Sequence, residues 1–504
     1  MALFHRDVEH QIGRGEVAET RLEAPFFAVL MLFGALVVLI AHFYFDNISL
    51  TVALTVSMLV FGMTVLHVEL GLAVLVFAML LSPEISVGQV GESTMRSLNI
   101  RYDDILIIVI FFGVLLKQAW EGKGSLWRRS PINSGIFAYY FICIVSTLLA
   151  YRRGLPFWDG RTAFFVMLKM LEFYLIFALV GSAIETRRQI QRSLAYLFIV
   201  ACVVAVFAGY SIGAIDRVSA PFEKGGTEPN TLGGYLTLMM CIAAGLLIHA
   251  PSRKLKLLYL GLFLLMFFPF LYTLSRASYV ALIVGLLAMG VMARKATLVI
   301  GTVLVLVLAP MFMPEVVVSR VSQTFEPSGE EVSIGSIETG IQVDKSTHER
   351  LYVWQKVKYN MRVWPLFGGG IEWDTVMDSQ YARVIIETGV IGLLAFLFLQ
   401  MRILQTTRQA RAWSPDWLGQ GLALGVFAAT LALMAHSLGT ISFLIVRVME
   451  PFWYLIALVV VVREHAIADY LAKKARIDAN NDDVPDAAAV RRPGTVPARA
   501  KAEA

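Results

Sequence analysis

The chain has 504 residues, 57% of them hydrophobic and only 16% charged, with a formal net charge of +5. Soluble domains carry roughly a quarter of their residues as charges, so this composition excludes a water-soluble globular protein. Its apolar surplus must face lipid, where each helical span needs about 20 mostly apolar residues.

Taken in chain order, residues 1–23 read as a cytoplasmic N-terminal segment. They hold Glu9, Glu16, Glu19 and Glu23 and lack a small-residue cleavage site, so the first apolar run is a retained span rather than a signal peptide. Apolar runs between polar or Pro/Gly breaks predict helices near 24–42, 48–65, 68–82, 105–118, 134–150, 163–183, 194–214, 231–250, 256–274, 277–293 and 297–313. These make up a transmembrane block over 24–313. A long loop over 314–379 follows, and a second block over 380–462 holds spans near 380–401, 419–437 and 441–462. Residues 463–504 read as a disordered cytoplasmic tail, because Asn480–Asp483 and the Ala/Pro/Arg-rich run to Ala504 lack apolar periodicity. The expected fold is an all-α polytopic membrane protein of about 14 transmembrane helices, with one long periplasmic loop containing an amphipathic helix.

The distribution of basic residues supports that count. With an internal N-terminus, loops assigned inside carry Lys123, Arg128, Arg129, Arg187, Arg188, Arg253, Lys254, Arg294, Lys295, Arg408 and Arg411. Fewer fall outside, among them Arg152, Arg161, Arg217 and Arg276. An even number of spans returns the tail to the inside, where Arg463, Lys473, Lys474 and Arg476 follow the last span. The positive net charge is thus a topological asymmetry, and no nucleic-acid partner is expected. Cys143, Cys202 and Cys241 all fall inside predicted spans and read as small buried side chains.

Two loops stand out. Asp216–Asn230 is rich in Pro and Gly, and Asn230 is placed to cap the helix that Thr231 opens. In the long loop, residues 325–345 are acidic and Gly/Ser-rich and read as mobile. From Thr347, Leu351, Trp354, Val357, Met361 and Trp364 recur at steps of three and four, while Arg350, Lys356, Lys358 and Arg362 surround them with positive charge. Pro365 and Gly368–Gly370 end this amphipathic helix. It reads either as a helix lying on the outer leaflet or as one wall of a pocket for a phosphate-bearing lipid.

Arg217, Arg276 and Arg350 fall outside, against the usual charge bias, and arginine suits bidentate contact with phosphate oxygens. Arg276 sits in a short turn between spans, where snorkelling is the plainer explanation. Within spans, Lys169 with Glu172 and Arg447 with Glu450 stand three residues apart; each pair reads as self-neutralising or as lining a polar cavity. No Walker-type loop, GxSxG elbow, HExxH or calcium loop is placed to act, so no metal and no cofactor are expected.

Four segments together resemble the bacterial O-antigen ligase and polymerase superfamily of integral membrane glycosyltransferases. They are Arg217–Phe222, Glu228–Leu236, Leu274–Ser278, and the set formed by Arg350, Trp354, Pro365–Gly368 and Glu387–Gly392. The resemblance implies a protein of the bacterial inner membrane whose donor is a polyprenyl-diphosphate-linked glycan. Outside arginines would hold the diphosphate, here Arg217 and Arg276 with Arg350, while an acceptor hydroxyl attacks the anomeric carbon. Asn230, Lys358, Arg362 and His348 would line the substrate site, His348 being also a weaker candidate base. Where family ligases carry a His-Asn pair, this chain has Asp378 followed by Ser379, so Asp378 reads either as a general base or as a helix N-cap. That departure favours a polymerase of exopolysaccharide, capsule or O-antigen over a ligase to lipid A core or protein. The expected partners are the lipid-linked donor, a glycan acceptor, membrane lipids and other polysaccharide assembly proteins. A transporter is the rival class, but the chain has no internal repeat or matched pair of broken helices.

Overall fold

The computed structural model describes residues 48–82, 84–89, 97–122, 127–154, 158–213, 217–219, 228–312, 314–322, 330–334, 337–343, 345–373 and 378–482. The span expected near 24–42 and the end of the tail lie outside these residues.

The helices run in order as α1 (Ile48–Leu66), α2 (Val68–Leu81), α3 (Tyr102–Trp120), α4 (Pro131–Arg153), α5 (Gly160–Ala183), α6 (Arg187–Tyr210), α7 (Pro229–His249), α8 (Arg253–Tyr272), α9 (Arg276–Ala293) and α10 (Ala296–Phe312). They continue with α11 (Glu315–Ser322), α12 (Lys345–Val363), α13 (Gln380–Trp413), α14 (Trp417–His436) and α15 (Val446–Asp482). Among the described residues, eight helices are long and apolar enough to cross a membrane, and α1, α2 and α10 carry shorter apolar stretches. The chain is an all-α, multi-pass membrane protein.

Several helices begin a few residues before the apolar run that predicts them, because polar caps set their starts. Ser130 accepts from Ile132 N–H at 3.2 Å with Pro131 in the first turn, and Asp159 accepts from Arg161 N–H at 3.0 Å. Thr186 and Gln189 form a reciprocal capping box at the start of α6. Each cap satisfies amide groups that no bilayer can hydrate.

At the centre, α7 is buried from Thr231 to Leu246, and α15 from Val448 to Val462. α7 approaches α14 so closely that a Cβ on Gly245 would come within 2.4 Å of Gly421 O, and one on Gly425 within 2.8 Å of Ile242 Cα. Small residues bring helix backbones together in lipid, where no hydrophobic force drives association. Around this centre, Phe137, Phe141 and Leu148 on α4, Leu264 and Phe268 on α8, and Ile300, Val305 and Val307 on α10 are exposed, as lipid-facing side chains must be.

Three sequence expectations change. The acidic stretch read as mobile contains an antiparallel hairpin, β3 (Glu330–Ile334) with β4 (Ile337–Val343), and a second hairpin pairs β1 (Glu84–Gln89) with β2 (Ser97–Arg101). The alternation of Ile337, Thr339, Ile341 and Val343 with Glu338, Gly340 and Gln342 is a strand signal that the surrounding charge obscures. The segment after Glu464 continues as helix to Asp482, because its Ala, Lys, Arg and Leu residues favour helix and no proline interrupts it. The α12 face is also rotated. Val353, Val357 and Asn360 are buried and Trp354 is exposed, since the helix packs on Ala382 and Ile386 of α13.

Candidate functional site

Arg217 and Arg276 meet at one end of the bundle, where a short turn joins α8 to α9. Val218 N–H donates to Tyr272 O at 3.1 Å, and Arg217 donates from Nε to Thr273 O and from Nη2 to Leu274 O, each at 3.3 Å. Leu274 adopts a φ of +50°, a left-handed conformation that a branched side chain disfavours. The turn is therefore held from outside by Arg217 and from inside by Ser275, whose Oγ caps α9 by accepting from Ser278 N–H at 3.3 Å.

A third arginine joins them. Burial, then the guanidinium of Arg320 on α11, hold Arg217 below its ordinary pKa; Tyr279 opposes them, and Arg276 adds the smallest lowering effect. Sequence reasoning passed over Arg320, because the first part of the long loop shows no pattern that singles it out. Cations that repel one another on half-buried backbone scaffolds are the arrangement an anion stabilises.

Asn230 adjoins the same turn. It does not cap α7 as expected: the cap position is Glu228, Pro229 opens the helix, and Asn230 Oδ1 instead accepts from Ser275 Oγ at 2.7 Å. Pro229 has no N–H to cap, and the helix starts two residues earlier than the apolar pattern indicates.

Asp378 is exposed just before α13, and the helix cap position is Ser379. The cap reading of Asp378 is therefore displaced by one residue. Gln380 N–H, the first of the helix, finds Ser437 O and Thr440 O at 3.0 Å each, so the start of α13 is satisfied by the α14–α15 link without a carboxylate. Lys358 and Arg362 are exposed on α12. Arg350 and His348 lie in its first turns, and their side chains fall outside those described.

The motifs at Pro365–Gly368 and Glu387–Gly392, separated in sequence, form one unit. α13 breaks at Gly389, φ +69°, and the freed backbone pairs with the loop: Val390 N–H to Pro365 O at 3.0 Å, Gly369 N–H to Ile386 O and Gly370 N–H to Glu387 O, both at 2.9 Å. A Cβ at Gly389 would come within 2.2 Å of Leu366 O. Beneath this seam, Arg383 is buried between two carboxylates, Nε at 2.9 Å from Glu387 Oε1 and Nη2 on Glu372 Oε1. Glu372 N–H also donates to Glu387 Oε1 at 3.0 Å. Arg153 locks the loop to α4, with Nη1 on Gly368 O at 2.8 Å and its guanidinium 3.8 Å from the centre of the Trp364 ring.

The charges inside the spans have more partners than their own helices supply. Lys169 bridges Glu172 at 3.2 Å and Asp104, while Arg447 Nη1 donates to Leu80 O at 2.6 Å. Glu450 faces Arg101 at 4.0 Å, and Arg101 also meets Asp103 at 3.0 Å. Asp103, Asp104, Glu172 and Glu450 bring carboxylate oxygens within 4.8 Å of one another, a set that suits a metal ion by spacing. Arg101 and Lys169 already supply positive charge there, so the arrangement is a buried ion network tying α2, α3, α5 and α15. A groove of about 690 Å³ lies between α4 and α5, lined by Tyr151, Trp158, Arg161 and Phe164, and contains none of Arg217, Arg276 and Asn230.

Residues 261–397 match a family model described as O-antigen ligase. The match runs from the middle of α8 to the middle of α13, and so takes in Arg276, Arg320, α12, Asp378 and the Gly389 seam. No curated protein matches the chain.

Proposed function

We propose that this chain, which belongs to the O-antigen ligase and polymerase superfamily, is a glycosyltransferase that takes oligosaccharide units from a polyprenyl-diphosphate carrier. The reaction class favoured is polymerisation of an exopolysaccharide, capsule or O-antigen at the periplasmic face of the bacterial inner membrane. The observation that carries it is that Arg217 grips the turn after which Arg276 opens α9, with the guanidinium of Arg320 near enough to act on Arg217.

As the bond from the anomeric carbon to the diphosphate breaks, negative charge grows on the leaving oxygens. Guanidinium groups preorganised beside them stabilise that charge more in the transition state than in the bound donor. Arg217 and Arg276 take this role, with Arg320 and Arg350 adding positive potential. The acceptor hydroxyl must lose its proton as its oxygen bonds the anomeric carbon, and Asp378, exposed beside the α14–α15 link, is the group assigned to receive that proton. Lys358, Arg362 and His348 of α12 are assigned to glycan binding, and both termini are assigned to the cytoplasm. The acceptor, membrane lipids and neighbouring polysaccharide assembly proteins complete the set of partners.

Asp378 in place of the expected His-Asn pair favours polymerisation over ligation to lipid A core. A deletion strain tests the choice through its surface glycan. Single-repeat products support a polymerase; accumulated lipid-linked polymer with bare lipid A core supports a ligase and overturns the preferred reading. Unchanged glycan with altered solute uptake contradicts both.

A further inference from the structure

Gly233 and Gly234 on α7 leave room for side chains of other helices. A Cβ on Gly233 would come within 2.2 Å of Ser278 Oγ, and one on Gly234 within 3.2 Å of His436 Cε1. Through that gap runs a line of hydrogen bonds. Ser442 Oγ is 2.8 Å from His436 Nδ1, His436 Nε2 is 3.0 Å from Ser278 Oγ, Ser278 Oγ is 2.8 Å from Ser275 Oγ, and Ser275 Oγ is 2.7 Å from Asn230 Oδ1. His436, Ser442, Ser278 and Ser275 are buried, whereas Asn230 is half-buried.

Each hydroxyl has a single proton to donate, so the polarity at one end fixes the polarity at the other. Asn230 Oδ1 only accepts, so Ser275 donates to it. Ser275 then accepts from Ser278, and Ser278 accepts from a protonated Nε2 of His436. Nδ1 faces the hydroxyl of Ser442, with Thr440 Oγ1 also 3.1 Å away. Nε2 is thereby fixed as a protonated nitrogen facing Ser278, and the carboxamide NH₂ of Asn230 is turned away from the buried line.

We propose that His436 is a positioning residue for the donor site. Through Ser278 and Ser275 it orients the Asn230 carboxamide so that its Nδ2–H groups, not its oxygen, are offered to a diphosphate beside Arg276. The inference rests on the donor reading above and deepens it. Ser275 both orients Asn230 and caps the helix that begins with Arg276, so one turn sets the neutral donor and the charged donor together. The reverse amide orientation would point an oxygen lone pair at an anion.

The test is binding of polyprenyl diphosphate to the full-length protein in nanodiscs, for single and double variants. His436→Phe and Asn230→Ala should each weaken binding about tenfold, the loss expected for one hydrogen bond to a charged group. The double variant should be no weaker than Asn230→Ala alone, because His436 acts only through that amide. His436→Gln, which keeps an N–H donor, should bind within about threefold of wild type. If His436→Phe does not fold, Ser278→Ala breaks the line at its next link and should show the same tenfold loss and the same non-additivity. Additive losses, or wild-type affinity in the single variants, overturn the inference while leaving the donor reading intact. A wild-type protein that does not bind polyprenyl diphosphate overturns the donor reading itself and this inference with it.

Discussion

Arg217 Nη2 donates to the carbonyl of Leu274 at 3.3 Å, across the turn in which Leu274 takes a φ of +50° and after which Arg276 opens α9. The two proposed diphosphate-binding arginines are thus parts of one clamp. Arg217 both supplies charge and holds the backbone that aims Arg276.

That coupling makes the two arginines unequal to simple substitution. Arg276→Ala should leave the protein inserted and lower glycan transfer by about 10²–10³, the cost of removing one preorganised donor to a developing anion. Arg217→Ala should lose at least as much, because it also releases the Leu274 turn. Arg217→Lys keeps the charge without the two-point grip and should rescue little. Polymer yield at matched protein level in the membrane is the measurement; wild-type yield from both alanine variants contradicts the clamp.

Arg320 extends the test to a residue that the sequence did not single out. Arg320→Glu places an anion among the arginines and should weaken donor binding and flatten its salt dependence, whereas Arg320→Lys should keep most of both. Binding measured across a salt series distinguishes the two.

Arg383 should behave as a structural residue. Removing it strands Glu372 and Glu387 in the core, so Arg383→Leu is expected to cost on the order of 3–5 kcal/mol. Membrane-extracted protein should melt lower or fall in amount. Replacing all three residues with apolar ones of similar volume should recover much of the loss.

Gly389→Ala should be disruptive out of proportion to one methyl group. It forces a positive φ on alanine, worth about 1–3 kcal/mol, and drives a Cβ against Leu366 O. Loss of transfer together with increased protease cleavage of the 365–370 loop is expected; unchanged activity and cleavage contradict the seam's role.

Asp378 separates base from bystander. Asp378→Asn should abolish transfer while leaving binding of the lipid diphosphate unchanged, since the residue is exposed and lies outside the helix cap. Full transfer by the Asn variant removes Asp378 from the chemistry.

Most apolar runs within the described residues coincide with helices because bilayer length and apolar composition leave few alternatives, although eight of those helices, against about 14 expected spans, are long and apolar enough to cross a membrane. Their ends were less legible: starts follow caps such as Ser130 and Asp159, and α15 outlasts its apolar stretch because helix propensity continues past Glu464. Arg217 and Arg276 could be singled out by the outside placement expected of their turns, and the structure brings them to one turn. Asn230 was found with the wrong task, since its partner Ser275 lies far along the chain. His436 was missed altogether; a lone histidine at the end of an apolar run, followed by Ser437, Thr440 and Ser442, gives little to read until packing brings it to Ser278. Arg383 with Glu387 is an i,i+4 pair inside a predicted span, a signal the sequence does carry.

The most direct test of the central claim is reconstitution. Purified protein in liposomes, supplied with an oligosaccharide on a polyprenyl diphosphate, should lengthen the glycan and release one polyprenyl diphosphate for each unit transferred, and Arg276→Ala should do neither. An intact lipid-linked substrate after incubation with well-folded wild-type protein, or equal turnover by the Arg276→Ala variant, would contradict the account.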